Sequence, residues 1–193
     1  DQRGYGMTKS LVRSKLSDYS VLNLTKDIFI LLKKLNIKAL HIIGHDFGAY
    51  VSSYYSLLYP KQILSSVIMS MPFSGPPIRK NMFQLFKLNK ALAKLKVKRK
   101  HYQCYFASSR ASKNIMECSQ GLKNFLRGYF HFKSYDFILN KPFRLSSFTA
   151  LEMAKLPEYY VMNYNLGMAQ TVAKFMPSEE EIKKCKWLNN QDL

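Results

Sequence analysis

Residues 44–48 read Gly-His-Asp-Phe-Gly, a small–x–acid–x–small pattern set between the apolar run Leu40-His41-Ile42-Ile43 and a helix-like stretch from Ala49 to Tyr59. Where a strand turns directly into a helix, the middle residue of such a pattern is held in a strained backbone conformation. Its side chain is then pushed out over the sheet. Small residues on either side are needed because the strand and helix backbones nearly touch. The N–H that follows, from Phe47, lies at a helix N-terminus and can stabilise an oxyanion. A carboxylate at the centre, Asp46, can attack an electrophilic carbon and form an alkyl ester, which water must then hydrolyse. The competing reading is an Asp46 that merely caps the next helix in an ordinary crossover. His45 neighbours the central residue and points away from it, so a structural hydrogen-bonding role is expected. His41, inside the strand run, is expected to pack.

The elements around this turn follow from patterning. Asp18 and Ser20 can cap a helix with apolar residues at Val21, Leu24, Ile28, Leu31, Leu32 and Leu35, closed by Asn36. Ala39 to Ile43 suits a buried parallel strand, and Leu64 to Met71 gives a second β-type run. Pro60 stops the helix between them. Helix, strand, tight turn, helix, strand is the alternation of an α/β fold with a parallel sheet. Pro72, Pro76 and Pro77 end that regime. From Arg79 onward the chain reads as helices joined by loops, with one helix across Gln120–His131. Another begins after Pro177, where Ser178 and Glu181 match a capping box. The expected division is therefore an α/β portion over 1–78 and an all-helical portion over 79–193.

The composition is dominated by charge: 30 Lys plus Arg against 12 Asp plus Glu over 193 residues, a net of +18. Half of that excess falls within residues 79–100, which hold nine basic side chains and no acid. Met82, Leu85, Phe86, Leu88, Leu92 and Leu95 sit there at roughly helical spacing, so the segment is expected to be a lysine-rich linker and surface helix. Lys outnumbers Arg 23 to 7 and no groove-reading motif accompanies the run. No nucleic-acid partner is expected. Hydrophobic residues at 47% exclude a disordered chain. The longest apolar runs are too short to span a bilayer. Cys104, Cys118 and Cys185 are odd in number and lack metal-ligand spacing, which suits a reducing, cytoplasmic compartment. Neither a metal nor a cofactor is expected.

Asp1-Gln-Arg-Gly-Tyr-Gly, Gly44-His45-Asp46-Phe47-Gly48-Ala49, Tyr59-Pro60 and Met71-Pro72-Phe73 resemble, in order and spacing, the epoxide hydrolases of the α/β-hydrolase superfamily. His101-Tyr102-Gln103-Cys104-Tyr105-Phe106 is similar to the tyrosine-bearing segment of their cap domain. Lys186-Trp187-Leu188-Asn189-Asn190-Gln191-Asp192-Leu193 resembles a later cap helix. The resemblance implies an α/β-hydrolase core over 1–78, partial and bearing a nucleophile elbow, and a helical cap over 79–193, incomplete at its C-terminus. It implies that Asp46 opens an epoxide through a covalent ester, with the Phe47 N–H as oxyanion donor. Tyr102 corresponds to the first of two cap tyrosines that donate to the epoxide oxygen, a role suited to a phenol with a pKa of about 10; Tyr105 is then structural.

The same pattern asks for a later histidine with an orienting acid, a second cap tyrosine and an upstream oxyanion loop. None has a counterpart here. His101 and His131 fall in helical cap segments, in the wrong order to be that base. The expectation is a fragment that acts on a small-molecule epoxide without turning over. The alternatives are a haloalkane dehalogenase or esterase of the same fold, or a non-catalytic remnant with a basic binding surface. Phe47 counts against a dehalogenase, since its ring has no N–H donor for halide.

Overall fold

A computed structural model describes residues 1–9, 15–73, 75 and 80–193, without the side chains of 80–82. Pro76, Pro77, Arg79 and the side chain of Met82 lie outside the described residues. The chain forms two compact units, Asp1–Pro76 and Pro77–Leu193.

In the first unit, helix α1 (Val21–Lys34) starts at Ser20, whose hydroxyl accepts from the Asn23 N–H. Just past its C-cap, Leu35, Asn36 turns the chain at φ 57°. Strand β1 (Leu40–His45) pairs in parallel with β2 (Ile63–Met69), and helix α2 (Phe47–Leu58) connects them. Helix α2 packs on the strand pair, and α1 packs on α2. Ala49, Val51 and Tyr55 of α2 are fully buried, as is Thr25 of α1. The Tyr55 hydroxyl donates to Gln62 Oε1 at 2.6 Å, and Phe29 stacks on Tyr59 at 4.3 Å. Arg3 ties the N-terminal turn to α1, its Nε and Nη2 donating to the Asp27 carboxylate at 2.9 and 2.6 Å.

Strand β1 departs from the buried strand expected of an apolar run. Ile42 and Gly44 are buried, whereas His41, Ile43 and His45 are exposed. Only the face that meets α2 is covered, and side chains alternate across a strand. His41 consequently does not pack: it is exposed, with Nδ1 2.8 Å from Ser65 Oγ on the paired strand.

The second unit is mostly helical: α3 (Lys80–Ala93), α4 (Tyr102–Phe106), α5 (Ser109–Met116), α6 (Gly121–Lys133), α7 (Ala150–Met153), α8 (Met168–Ala173) and α9 (Glu179–Lys184). It is not all-helical. Strand β3 (Arg99–His101) pairs antiparallel with β4 (Val161–Asn163). Three residues per strand are too few to leave an alternation in the sequence, and β3 is entirely basic. The ladder nonetheless organises the unit. Val161 faces a cluster with Leu92 and Met153, while its neighbour Met162 faces a second one with Tyr105, Phe125, Phe132, Tyr159 and Met168.

The basic segment follows the same logic. Leu92 of α3 is fully buried, Leu88 and Leu95 pack beside it, and Phe83 and Phe86 are exposed. The Lys87 ammonium sits 4.9 Å over the Phe83 ring. Helix α9 begins at the expected capping box, with Ser178 Oγ accepting from the Glu181 N–H and Glu181 accepting from the Ser178 N–H.

Residues 186–193 hold no helix, contrary to the resemblance. Asn189 Oδ1 accepts from the N–H groups of Gln191 and Asp192, and Asp192 accepts from the Asn189 N–H. That is the hydrogen bonding of a helix start. The stretch is fastened instead to α6. Buried Arg127 donates to the Leu188 carbonyl and to Asn190 Oδ1, and the Trp187 indole donates to Asp136.

His101 is likewise the last residue of β3 rather than a helical residue. Its ring is 8% exposed, and Nδ1 accepts from the Gln103 N–H to cap α4. Burial lowers its pKa below the ordinary histidine value. The neutral ring is therefore the form the fold holds. Its stabilisation is fully present above about pH 6.5 and is lost as pH falls through the depressed folded value. Denaturant unfolding followed by Trp187 fluorescence should show the midpoint falling between about pH 7.5 and 5.5. His101→Asn, which keeps a capping oxygen, should flatten that dependence. An unchanged slope in the variant would refute the assignment.

Candidate active site

The turn at residue 46 is assembled by the parallel strands and the helix they feed. The Asp46 N–H donates to the Met69 carbonyl at 3.2 Å, which carries the β1–β2 ladder one residue past His45. Asp46 itself sits at φ 53°, ψ −117°, a conformation normally left to glycine. Helix α2 starts at the next residue. The Asp46 side chain makes no capping hydrogen bond to α2, so the helix-cap reading fails. The carboxylate is exposed and pairs with no described residue.

The N–H groups of Phe47 and Gly48 open α2 and find no acceptor among the described residues, as first-turn amides do. They lie at the positive end of a 12-residue helix beside a free carboxylate. The Phe47 ring is exposed and the Gly48 backbone half-buried. Beside this turn, Ser70 follows β2 with a second positive φ, 68°. Two non-glycine residues in left-handed backbone thus lie side by side at the carboxyl ends of paired parallel strands, where open α/β sheets bind their ligands. No sequence signal marks Ser70.

The two flanking glycines are not equivalent. A Cβ on Gly44 would come within 2.5 Å of the Gly48 carbonyl oxygen and 2.8 Å of Ala49 Cα. Strand and helix backbones therefore do meet at Gly44. A Cβ on Gly48 would touch nothing among the described residues, so the close approach requires one glycine rather than both. His45 also departs from expectation: it is exposed, and its ring bonds no described residue. It follows Gly44 on the strand and projects from the uncovered face.

Tyr102 belongs to the second unit. It is the first residue of α4, half-buried, with its N–H donating to the Tyr160 carbonyl at 2.9 Å and its ring edge-on to Tyr160 at 5.4 Å. Tyr105 is structural, as expected. Its ring is 7% exposed in the larger core cluster, and its hydroxyl donates to Asn114 Oδ1 at 2.6 Å. Cys104, Cys118 and Cys185 are free thiols. Among the described residues, no three His, Cys, Asp or Glu side chains gather as a metal site would require, and no helix is long and apolar enough to cross a membrane.

A parallel strand pair joined through a helix, with a strained residue at the strand–helix turn, has the strand–turn–helix form found in the α/β hydrolases. The family model described as the alpha/beta hydrolase fold matches residues 1–101, more than half of the chain, and the chain belongs to that family. Among curated proteins it is similar to bifunctional epoxide hydrolase 2 of Sus scrofa, 26% identical over 131 residues, which are 67% of this chain and 22% of that protein. It is also similar to epoxide hydrolase 3 of Siraitia grosvenorii, 34% identical over 73 residues, 38% of this chain and 22% of that one. A solved epoxide hydrolase from an endophytic Streptomyces superposes with a TM-score of 0.69 at 16% identity, covering 100% of this chain and 49% of that chain. The chain thus spans less than a quarter of those curated relatives and about half of the solved structure.

Backbone strain and close approach make opposite predictions at three neighbouring positions. Gly44→Ala should destabilise by about 2 kcal/mol or more, because the new methyl meets the α2 backbone at Gly48 and Ala49 as well as Ser52 Oγ. Gly48→Ala should be neutral or stabilising by about 0.5 kcal/mol, as alanine is the better helix residue. Asp46→Gly should stabilise by about 1 kcal/mol through relief of the positive φ. Urea unfolding followed by circular dichroism checks all three. Equal losses at Gly44 and Gly48 would contradict the geometry.

Proposed function

We propose that the chain carries the nucleophile and one acid of an epoxide-opening hydrolase. The observation that supports this best is Asp46: a free carboxylate held at φ 53° beside unpaired helix-start amides. In this reading an Asp46 carboxylate oxygen attacks a ring carbon of the epoxide. The ring C–O bond breaks, its electron pair goes to oxygen, and that oxygen takes the phenolic proton of Tyr102. The product is a hydroxyalkyl ester on Asp46. Releasing the diol then needs an attacking water, a base to take its proton and donors for the oxyanion on the ester carbonyl, which include the Phe47 N–H. The role of Tyr102 rests on its motif, and the substrate class rests on the names of the relatives.

None of the four histidines matches the later base of the family pattern, so the ester is expected to accumulate. The second unit is read as the cap that confines the substrate, and the three free thiols suit a reducing, cytoplasmic setting.

Incubation with styrene oxide should add one epoxide mass to the intact protein, mapped by peptide mass spectrometry to Asp46. Asp46→Asn should cut labelling by about ten-fold or more, and Tyr102→Phe should slow it without moving its location. No adduct on Asp46 would overturn the nucleophile. Labelling by 1-chlorobutane with halide release, and none by the epoxide, would make the enzyme a dehalogenase. Repeated diol formation by these 193 residues would overturn the expected stall.

A further inference from the structure

A cleft of about 630 Å³ lies within the second unit, between α3, the β3–β4 ladder and α5. Asp46, Phe47 and Tyr102 do not line it. Its walls carry two cations, Lys100 and Arg110, and no acidic residue. The ladder explains why the lysine is there. Arg99 pairs with Glu158 at 3.1 Å, while Lys100, the next residue, emerges on the opposite face of β3 and has no acidic partner among the described residues. Its ammonium sits 5.2 Å over the Tyr105 ring, and burial lowers its pKa. Arg110, in the first turn of α5, also lacks an acidic partner among the described residues.

The neutral groups are of matching kind. Asn89 uses its Oδ1 to accept from the His101 N–H, and its amide N–H groups donate to no described residue. The Asn165 side chain has no hydrogen bond among the described residues. Tyr105, Tyr164 and Leu166 supply apolar wall. A cavity of this size with an apolar side and a few polar groups suits a small organic ligand. Lys100 and Arg110 have no acidic partner among the described residues and Asn89 keeps spare donors, so the complementary ligand group is an oxyanion.

We propose that this cleft binds a small organic anion, its carboxylate or phosphate held by Lys100 and Arg110 and its apolar body against Tyr105 and Tyr164. A bound anion offsets the desolvation that the half-buried Lys100 ammonium otherwise bears.

The test uses the full chain, with phenyl phosphate and benzoate as anionic probes and benzyl alcohol as the uncharged control. Titration calorimetry should give saturable binding of at least one anion and none of the alcohol. Lys100→Gln and Arg110→Gln should each raise that Kd about five-fold or more, while Lys96→Gln, an exposed lysine outside the cleft, should leave it unchanged. Arg110 is exposed on α5, so its variant keeps the test decisive should Lys100→Gln unfold, which Trp187 fluorescence would reveal. Absence of saturable anion binding, equal binding of the alcohol, or a smaller change in any folded cleft variant overturns the proposal. So does an equal loss in the Lys96 variant.

Discussion

Strand β1 can pass into helix α2 without an intervening loop only because the backbones meet at Gly44. A methyl group there would stand 2.5 Å from the Gly48 carbonyl oxygen. The chain must reverse within one residue, and that residue takes φ 53°. Much of the first unit follows from this contact. The turn leaves Asp46 with its N–H in the strand ladder, its carbonyl accepting from Ala49 at 3.1 Å, and its side chain free of both elements. It brings the unpaired amides of the α2 start next to that side chain. It also places Ala49, Val51 and Tyr55 of α2 in the buried core beside the strands. Strain and exposure are thus linked through geometry: the residue whose backbone conformation costs stability is the one whose carboxylate does not cap its own helix.

The second unit depends on a different constraint, the three-residue ladder between β3 and β4. Lys100 lies opposite Met162 and His101 opposite Val161, so each side of the ladder commits one residue from each strand to one environment. Val161 closes the cluster around Leu92, and Met162 closes the one around Tyr105. His101 gains its buried capping position from the same alternation, and Lys100 gains its place in the cleft wall. The Tyr102 N–H to Tyr160 carbonyl bond continues the ladder past its last pair, so the start of α4 is set by strand pairing as well as by its cap.

What could be read from the sequence divides along physical lines. Helix α1 was legible because a cap, an apolar stripe and a closing asparagine agree over a whole element. The α9 capping box was legible for the same reason. The turn at Asp46 was legible because a close backbone approach admits few residue types, yet only Gly44 meets that demand. Gly48 fits the pattern without making that contact. The ladder was hidden because short strands carry no period and because Tyr159-Tyr160-Val161-Met162-Asn163, rich in strand-forming types, lay within a stretch read as helical. Ser70 was hidden for another reason: its left-handed backbone comes from the end of β2, and nothing in a serine announces it. The helix expected over 186–193 is absent: Asn189 and Asp192 exchange cap-like bonds, while Arg127 and Asp136 hold the stretch through Leu188, Asn190 and Trp187.

Charge behaves differently from pattern, and the difference is instructive. The +18 excess points by itself toward polyanions, but a net charge says nothing of where unsatisfied cations lie. On α3 Lys87 and Lys90 are exposed while Leu88 and Leu92 face the core, and Lys87 covers an exposed phenylalanine. Arg99 is neutralised by Glu158, and Arg127 is absorbed by the carbonyl of Leu188 and the amide of Asn190. Where the ladder turns Lys100 away from Glu158, a half-buried cation meets a cavity that offers it no acid among the described residues. A single lysine selected by alternation therefore carries more recognition chemistry than the charge-rich segment that contains it, because desolvation rather than number makes a cation seek a partner.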